Sequence, residues 1–152
     1  MFKVNKLTDY ATVVLIDIAR SDKRLSSFQL ARRTGIPLPT VAKLMKNLGR
    51  SGLVQANRGA TGGYALSRAT SGITIADIIQ AVEGPIALTA CADTSEEQCG
   101  IEKVCPVQGK WNRVNRGVRA ALQEVTLADM VADVDAFGLN SAPPGEPAGV
   151  VS

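Results

Sequence analysis

Two short helical patterns joined by a turn that must bend sharply constrain this chain more than any other feature. Ser26-x-x-Gln29 has the form of a capping box, in which two side chains satisfy each other's backbone N–H groups at a helix start. The helix it opens runs through Leu30 and Ala31 until Gly35 stops it. Ile36-Pro37-Leu38-Pro39-Thr40 reads as a tight prolyl turn, after which Val41, Leu44, Met45 and Leu48 mark one face of a second helix that Gly52 ends. Two helices on a short glycine-containing turn form a helix-turn-helix unit, whose second helix enters the major groove.

The flanking segments extend that unit. Leu7 to Arg20 carries Ala11, Val14, Leu15 and Ile18 at helical spacing, with Thr8 as the expected N-cap. Leu53 to Ala56 and Tyr64 to Leu66 read as strands around a turn with Gly59, Gly62 and Gly63. A helix-turn-helix followed by a glycine-rich hairpin is a winged helix. Thr74 to Val82 is a short helix that Gly84-Pro85 breaks, and a polar loop follows. Pro106 suits the first turn of a long amphipathic helix with Val107, Trp111, Val114, Val118 and Leu122 as its stripe. Thr126 to Asp129 resembles a capping box for a last short helix through Val134. The expected fold is mainly α with a small β-hairpin, divided into a winged helix over 1–84, a cysteine loop over 85–105, a dimerisation helix with a short C-terminal helix over 106–137, and a disordered tail over 138–152. No apolar run is long enough for a membrane span and no signal peptide opens the chain, so a soluble cytoplasmic protein is expected.

Charge separates the two halves. Residues 1–70 carry twelve Lys or Arg against three acids, net +9, and residues 71–152 carry five against eleven, net −6. Clustered cations that neutralise phosphates release condensed counterions, so the front half suits a double-stranded DNA operator. On the second helix, Thr40, Lys43, Lys46, Asn47 and Arg50 lie opposite the apolar stripe. Ser26 and Pro39 beside them, and Arg58 and Thr61 in the hairpin, complete the candidate DNA contacts. A solvated basic face is the plain alternative, and the adjacent wing weighs against it. Arg58 is placed to enter a minor groove, whose negative potential attracts Arg.

The chain has no histidine and three cysteines, Cys91, Cys99 and Cys105. Histidine bases and histidine metal ligands are thereby excluded, and an odd cysteine count argues against a disulfide framework. Three thiolates on one loop make a soft-ligand site suited to an iron-sulfur cluster or zinc, while three unrelated thiols are the plain alternative. The spacing is not the paired one of most zinc sites. A thiol redox switch is a second functional class. With no histidine and no acidic metal cluster, neither an enzyme nor a small-molecule substrate is expected. Because a winged helix has its own core, the stripe of Trp111, Val114, Val118 and Leu122 calls for the same helix of a second subunit, giving a homodimer.

Leu7-Thr8-Asp9-Tyr10-Ala11, Thr40-Val41-Ala42-Lys43-Leu44, Gly52-Leu53-Val54, Arg58-Gly59-x-x-Gly62-Gly63-Tyr64-x-Leu66, Glu83-Gly84-Pro85-Ile86 and the three cysteines followed by Trp111 together carry a family resemblance. From about Leu7 to Met130 the chain resembles the iron-sulfur-sensing winged-helix regulators of bacterial cluster biogenesis, most closely those of the SUF assembly system. The resemblance implies a dimeric transcriptional regulator, a repressor of iron-sulfur assembly genes, that holds a [2Fe-2S] or [4Fe-4S] cluster on Cys91, Cys99 and Cys105. The chain departs from some members at Gln108, where they place a histidine ligand, and at Ala42, where they carry an acid. Asp9 matches a position from which some relatives donate an Asp ligand out of the other subunit's first helix. An acid in a first helical turn is also favoured by the helix dipole alone. Asp93, Glu96, Glu97, Glu102 and Gln108 are further candidates close to the cysteines.

Overall fold

The structure is a computed structural model that describes residues 3–92, 95, 96 and 98–136, with side chains as far as 132. The expected tail over 138–152 and the candidates Asp93 and Glu97 lie outside the described residues. The elements are α1 (Lys6–Ala19), α2 (Ser27–Thr34), α3 (Leu38–Arg50), β1 (Val54–Asn57), β2 (Gly63–Leu66), α4 (Ile75–Glu83), α5 (Trp111–Glu124) and α6 (Leu127–Ala136). Short 3-10 turns stand at Thr70–Gly72 and Glu102–Val104. The architecture is the expected one, mainly α, with one antiparallel hairpin among the described residues.

Helix α1 starts earlier than Thr8. Asn5 is its cap, accepting the Leu7 N–H at 2.9 Å. Thr8 is buried inside the helix and donates its hydroxyl to Glu83, which also accepts the Asn5 N–H at 3.1 Å. Glu83, at the end of α4, thereby ties down the start of α1. The capping box of α2 is present on Ser26 and Gln29, and Gly35 takes the left-handed conformation at φ +76° that stops the helix. Helix α3 begins within the prolyl turn itself. Pro37 precedes it and Pro39 is its second residue, where the missing N–H costs nothing because no helical partner awaits it.

Val41, Leu44, Met45 and Leu48 of α3 are buried against Ala11, Val14 and Leu15 of α1, Leu30 of α2, Leu53, Ile73 and Ile78. Leu127 is also fully buried in this core. The chain returns to it after α5, since the Leu127 N–H donates to Ile73 O at 2.8 Å and the Ile75 N–H to Val125 O at 2.9 Å. Although α6 follows α5 directly in the sequence, it therefore packs with the winged helix. Its capping box joins Thr126 and Asp129 in both directions, at 2.9 and 3.2 Å. Helix α5 starts at Trp111 and not at Pro106. Gly109, at φ +71°, breaks the helical path, and residues 105–110 instead close two turns through Gln108 N–H to Cys105 O and Lys110 N–H to Val107 O. Val107 thus stands outside the helix to which its spacing assigned it.

Candidate functional site

The outer surface of α3 follows from its buried one. With four residues committed to the core, Lys43, Lys46 and Arg50 are exposed, Thr40 and Asn47 are half-buried, and Pro39 is exposed in the first turn. Helix α2 is held at a fixed angle to α1 by a bidentate pair. Arg33 Nε and Nη2 donate to the two carboxylate oxygens of Asp17, each at 2.8 Å. The hydrogen bond that Arg33 donates to Asp17 raises the Arg33 pKa above its ordinary value, opposed by burial. A raised pKa keeps the arginine's contribution complete at pH values below the ordinary arginine range. Ser26 spends its oxygen on the Gln29 N–H at 3.1 Å, which leaves its hydroxyl proton to donate outward.

The wing is fixed by backbone contacts that admit only glycine. β1 and β2 pair with Val54 opposite Leu66 and Asn57 opposite Gly63. Tyr64 then exchanges backbone hydrogen bonds with Leu25, at 2.8 and 3.2 Å, which anchors the hairpin to the segment ahead of α2. Gly63 sits at φ +131°, and a Cβ there would lie 2.8 Å from the Leu25 carbonyl carbon. At Gly62 a Cβ would stand 2.6 Å from Asn57 O. The tip leaves Arg58 and Thr61 exposed, so the wing presents a cation to solvent.

The second candidate region lies between α4 and α5. Cys91, Cys99 and Cys105 are all free and half-buried. Thr89 Oγ1 stands 3.3 Å from Cys91 Sγ, and Gln108 Nε2 lies 3.4 Å from Glu102 Oε1. Three unpaired thiols are a donor set that suits a soft metal or an iron-sulfur cluster. Among the described residues of the chain, however, no group of three or more His, Cys, Asp or Glu is brought close enough to hold a metal ion. Asp9 is exposed in the first turn of α1, in a groove shared with Asn5, Ile79, Glu83 and Met130, and no cysteine lines that groove.

A buried polar residue that the stripe did not reveal secures this region. Asn115 is fully buried on α5, accepting the Leu88 N–H and donating Nδ2 to Ile86 O, both at 3.1 Å. Ile86 packs with Ala76 and Ile79 of α4, and Leu122 of α5 lies against the same small cluster. Asn115 thus clips the strand of chain leading into Cys91 onto α5. Its position, four residues after Trp111 and three before Val118, was the available signal. Along the rest of the stripe, Trp111 is 40% and Val114 48% exposed, while Val118 and Leu122 are half-buried. No described helix is long and apolar enough to cross a membrane.

The comparisons with known proteins agree with this geometry. Residues 4–133 match the family model Rrf2, described as an iron-dependent transcriptional regulator. Protein Rrf2 of Nitratidesulfovibrio vulgaris is 30% identical over 133 residues, 86% of this chain and 88% of that protein. The HTH-type transcriptional regulator IscR of Yersinia pseudotuberculosis is 29% identical over 128 residues, covering 83% and 77%. Among solved structures, CymR, the global cysteine regulator of B. subtilis, superposes with a TM-score of 0.66 at 27% identity over 88% of this chain and 98% of that one. IscR of T. potens gives 0.64 at 29% identity over 93% of each chain. The oxidised form of Staphylococcus aureus CymR gives 0.62 at 26% identity over 86% and 96%. The match runs from ahead of α1 into α6 and covers a helix-turn-helix with its wing, and on both grounds the chain belongs to the Rrf2 family of transcriptional regulators, proteins that bind DNA and are not enzymes.

Proposed function

We propose that this Rrf2-family regulator is a cytoplasmic homodimer that represses iron-sulfur assembly genes and senses iron-sulfur status through its own cluster. Cys91, Cys99 and Cys105 would hold the cluster, and Asp9 of the partner subunit would supply the remaining ligand. The observation that carries this reading is the set of three free, half-buried thiols between α4 and α5, in a chain with no histidine to compete with them. A bound cluster would supply a labile, oxidisable group whose gain or loss alters the charge and packing of that segment. The residues' own part is to place three thiolates where Asn115 joins the segment to α5, and α5 in turn to the pairing surface of Trp111, Val114, Val118 and Leu122. DNA contact falls to Thr40, Lys43, Lys46, Asn47 and Arg50 on α3, with Arg58 and Thr61 in the wing and Ser26 and Pro39 beside them.

Anaerobic purification with an iron and sulfide assay tests the sensing part. Brown protein with near-stoichiometric sulfide that is lost in Cys91→Ser is the expected result, and colourless protein without iron overturns it. Asp9→Ala should bleach faster in air than the parent, with altered visible circular dichroism, because a carboxylate is lost from the site. On DNA, Lys43→Ala should cost about 1–3 kcal/mol at one position of each half-site if it reads a base edge. Arg58→Ala should weaken binding more evenly across sequences.

A second reading makes the cysteines a thiol-disulfide switch without a cluster. It is favoured by the lack of a metal-holding group among the described residues of one chain and by the likeness to a CymR solved in an oxidised form. Counting free thiols before and after peroxide, together with DNA affinity, separates it from the first. Disulfide formation that changes affinity in iron-free protein supports the switch.

A further inference from the structure

The exposed face of α3 changes character along its length. Lys43, Lys46 and Arg50 occupy the middle and end of the helix, and there is no acid in its first turn. Toward the N-terminus the outward residues are Leu38, Pro39 and Ala42, all exposed, with Leu38 at 42%. Helical spacing places Leu38 one turn from Ala42, and Pro39 one turn from Lys43, so an apolar ridge runs directly into a cationic one. Leu38 lies outside the hydrophobic core, so the core does not account for an exposed leucine there. An exposed apolar ridge bordered by charge marks an interaction surface. The charge that α3 itself carries is wholly positive, which points to a polyanion as the occupant.

Resting on the reading in which α3 faces DNA, we infer that Leu38, Pro39 and Ala42 read the C5-methyl group of thymine in the major groove. The first turn of a recognition helix is the part that meets base edges. None of these three side chains has a hydrogen-bond donor or acceptor, so they cannot read the amino, carbonyl or ring-nitrogen groups displayed there. The only apolar group that the four natural bases present in the major groove is the thymine methyl. Pro37 and Pro39 fix the backbone around Leu38, which lets the ridge bind without ordering a flexible segment. Lys43, Lys46 and Arg50 then fall on neighbouring phosphates or purine edges further along the groove.

The test begins with duplexes selected by the full-length protein from a random pool. Each thymine of the selected site is then replaced by deoxyuridine, which removes the methyl and leaves base pairing intact. One methyl withdrawn from an apolar contact is worth about fourfold in affinity, or about fifteenfold when both half-sites of a symmetric site are changed. The wild type should lose about that much at one or two positions per half-site. Leu38→Ala, whose folding is checked by circular dichroism, should bind the thymine and uracil duplexes within about twofold of each other, on the same affinity scale. If no thymine is sensitive in the wild type, or if Leu38→Ala remains as sensitive as the wild type, the assignment is wrong. If selection enriches no sequence at all, the DNA-facing reading of α3 falls, and this inference falls with it. Retained selection with no methyl sensitivity removes the inference alone.

Discussion

The winged helix and the cysteine segment are held together by opposite means. From α1 to α4 one core of buried aliphatic side chains, with the partly buried Tyr64 and Leu66 of β2 packed on it, joins the elements, and reciprocal caps and a bidentate Arg33–Asp17 pair add direction. Among the described residues between Gly84 and Trp111 there is no comparable core. That stretch is held by Ile86, by Asn115 and by short turns closed between residues three apart, while Ile101 and Val104 stand 63% and 80% exposed. Local opening free energy rises with the number of buried apolar contacts, so the two parts should differ by most of the global stability. A surface that must match DNA gains from rigidity, whereas a segment that must answer to a bound group or an oxidant has to move at small cost.

The largest effect should separate the two parts most clearly. Leu44→Ala empties a fully buried site on α3 and should lower the unfolding free energy in denaturant titration by about 2–5 kcal/mol. A loss below about 1 kcal/mol would mean that the core is far more pliable than its burial implies. Next comes α5. Val114→Asp would place two like charges near the axis of the proposed dimer, and sedimentation should then show monomers. A variant that stays dimeric would assign the exposed stripe to some other use.

Legibility in the sequence follows the same division. The α2 capping box, the Gly35 stop, the apolar face of α3 and the wing were all legible, because each is a local rule repeated over a few residues. The helix start was misread at Thr8, since a hydroxyl bonded to Glu83, seventy-five positions away, looks the same in sequence as a cap. Helix α5 was expected from Pro106, and the left-handed turn at Gly109 decided otherwise. In the cysteine region composition identified the donors, but their relative placement depends on Asn115 and Ile86, contacts made across 27 and more residues. The packing of α6 on the winged helix was hidden for the same reason. A fully buried Leu127 has no neighbour in sequence that announces it.

Asn115→Ala should have an intermediate effect confined to the second part. The Leu88 N–H and Ile86 C=O would lose their partner, at a cost of about 1–3 kcal/mol. Hydrogen exchange should speed up at Leu88 and around Cys91 while amides of α3 keep their protection. Equal loss of protection in α3 would show that the two parts unfold as one unit and would break the comparison.

Val104→Ser should have the smallest effect and carries the sharpest consequence. With four-fifths of its surface already in water, Val104 has little packing to lose, and a surface substitution of this kind normally stays within about 0.5 kcal/mol. Its neighbours Ile101 and Val107 are also exposed, so three apolar side chains project from one short stretch beside Cys105. If the segment stands free, denaturant titration will return the parental midpoint and slope. If the second subunit covers the stretch, Val104→Ser will lower stability by clearly more than that in the dimer and by nothing measurable in the monomeric Val114→Asp background. The interface would then extend beyond α5 onto the thiol segment itself, and a change at Cys105 would be felt directly at the subunit contact with no need to pass through the core.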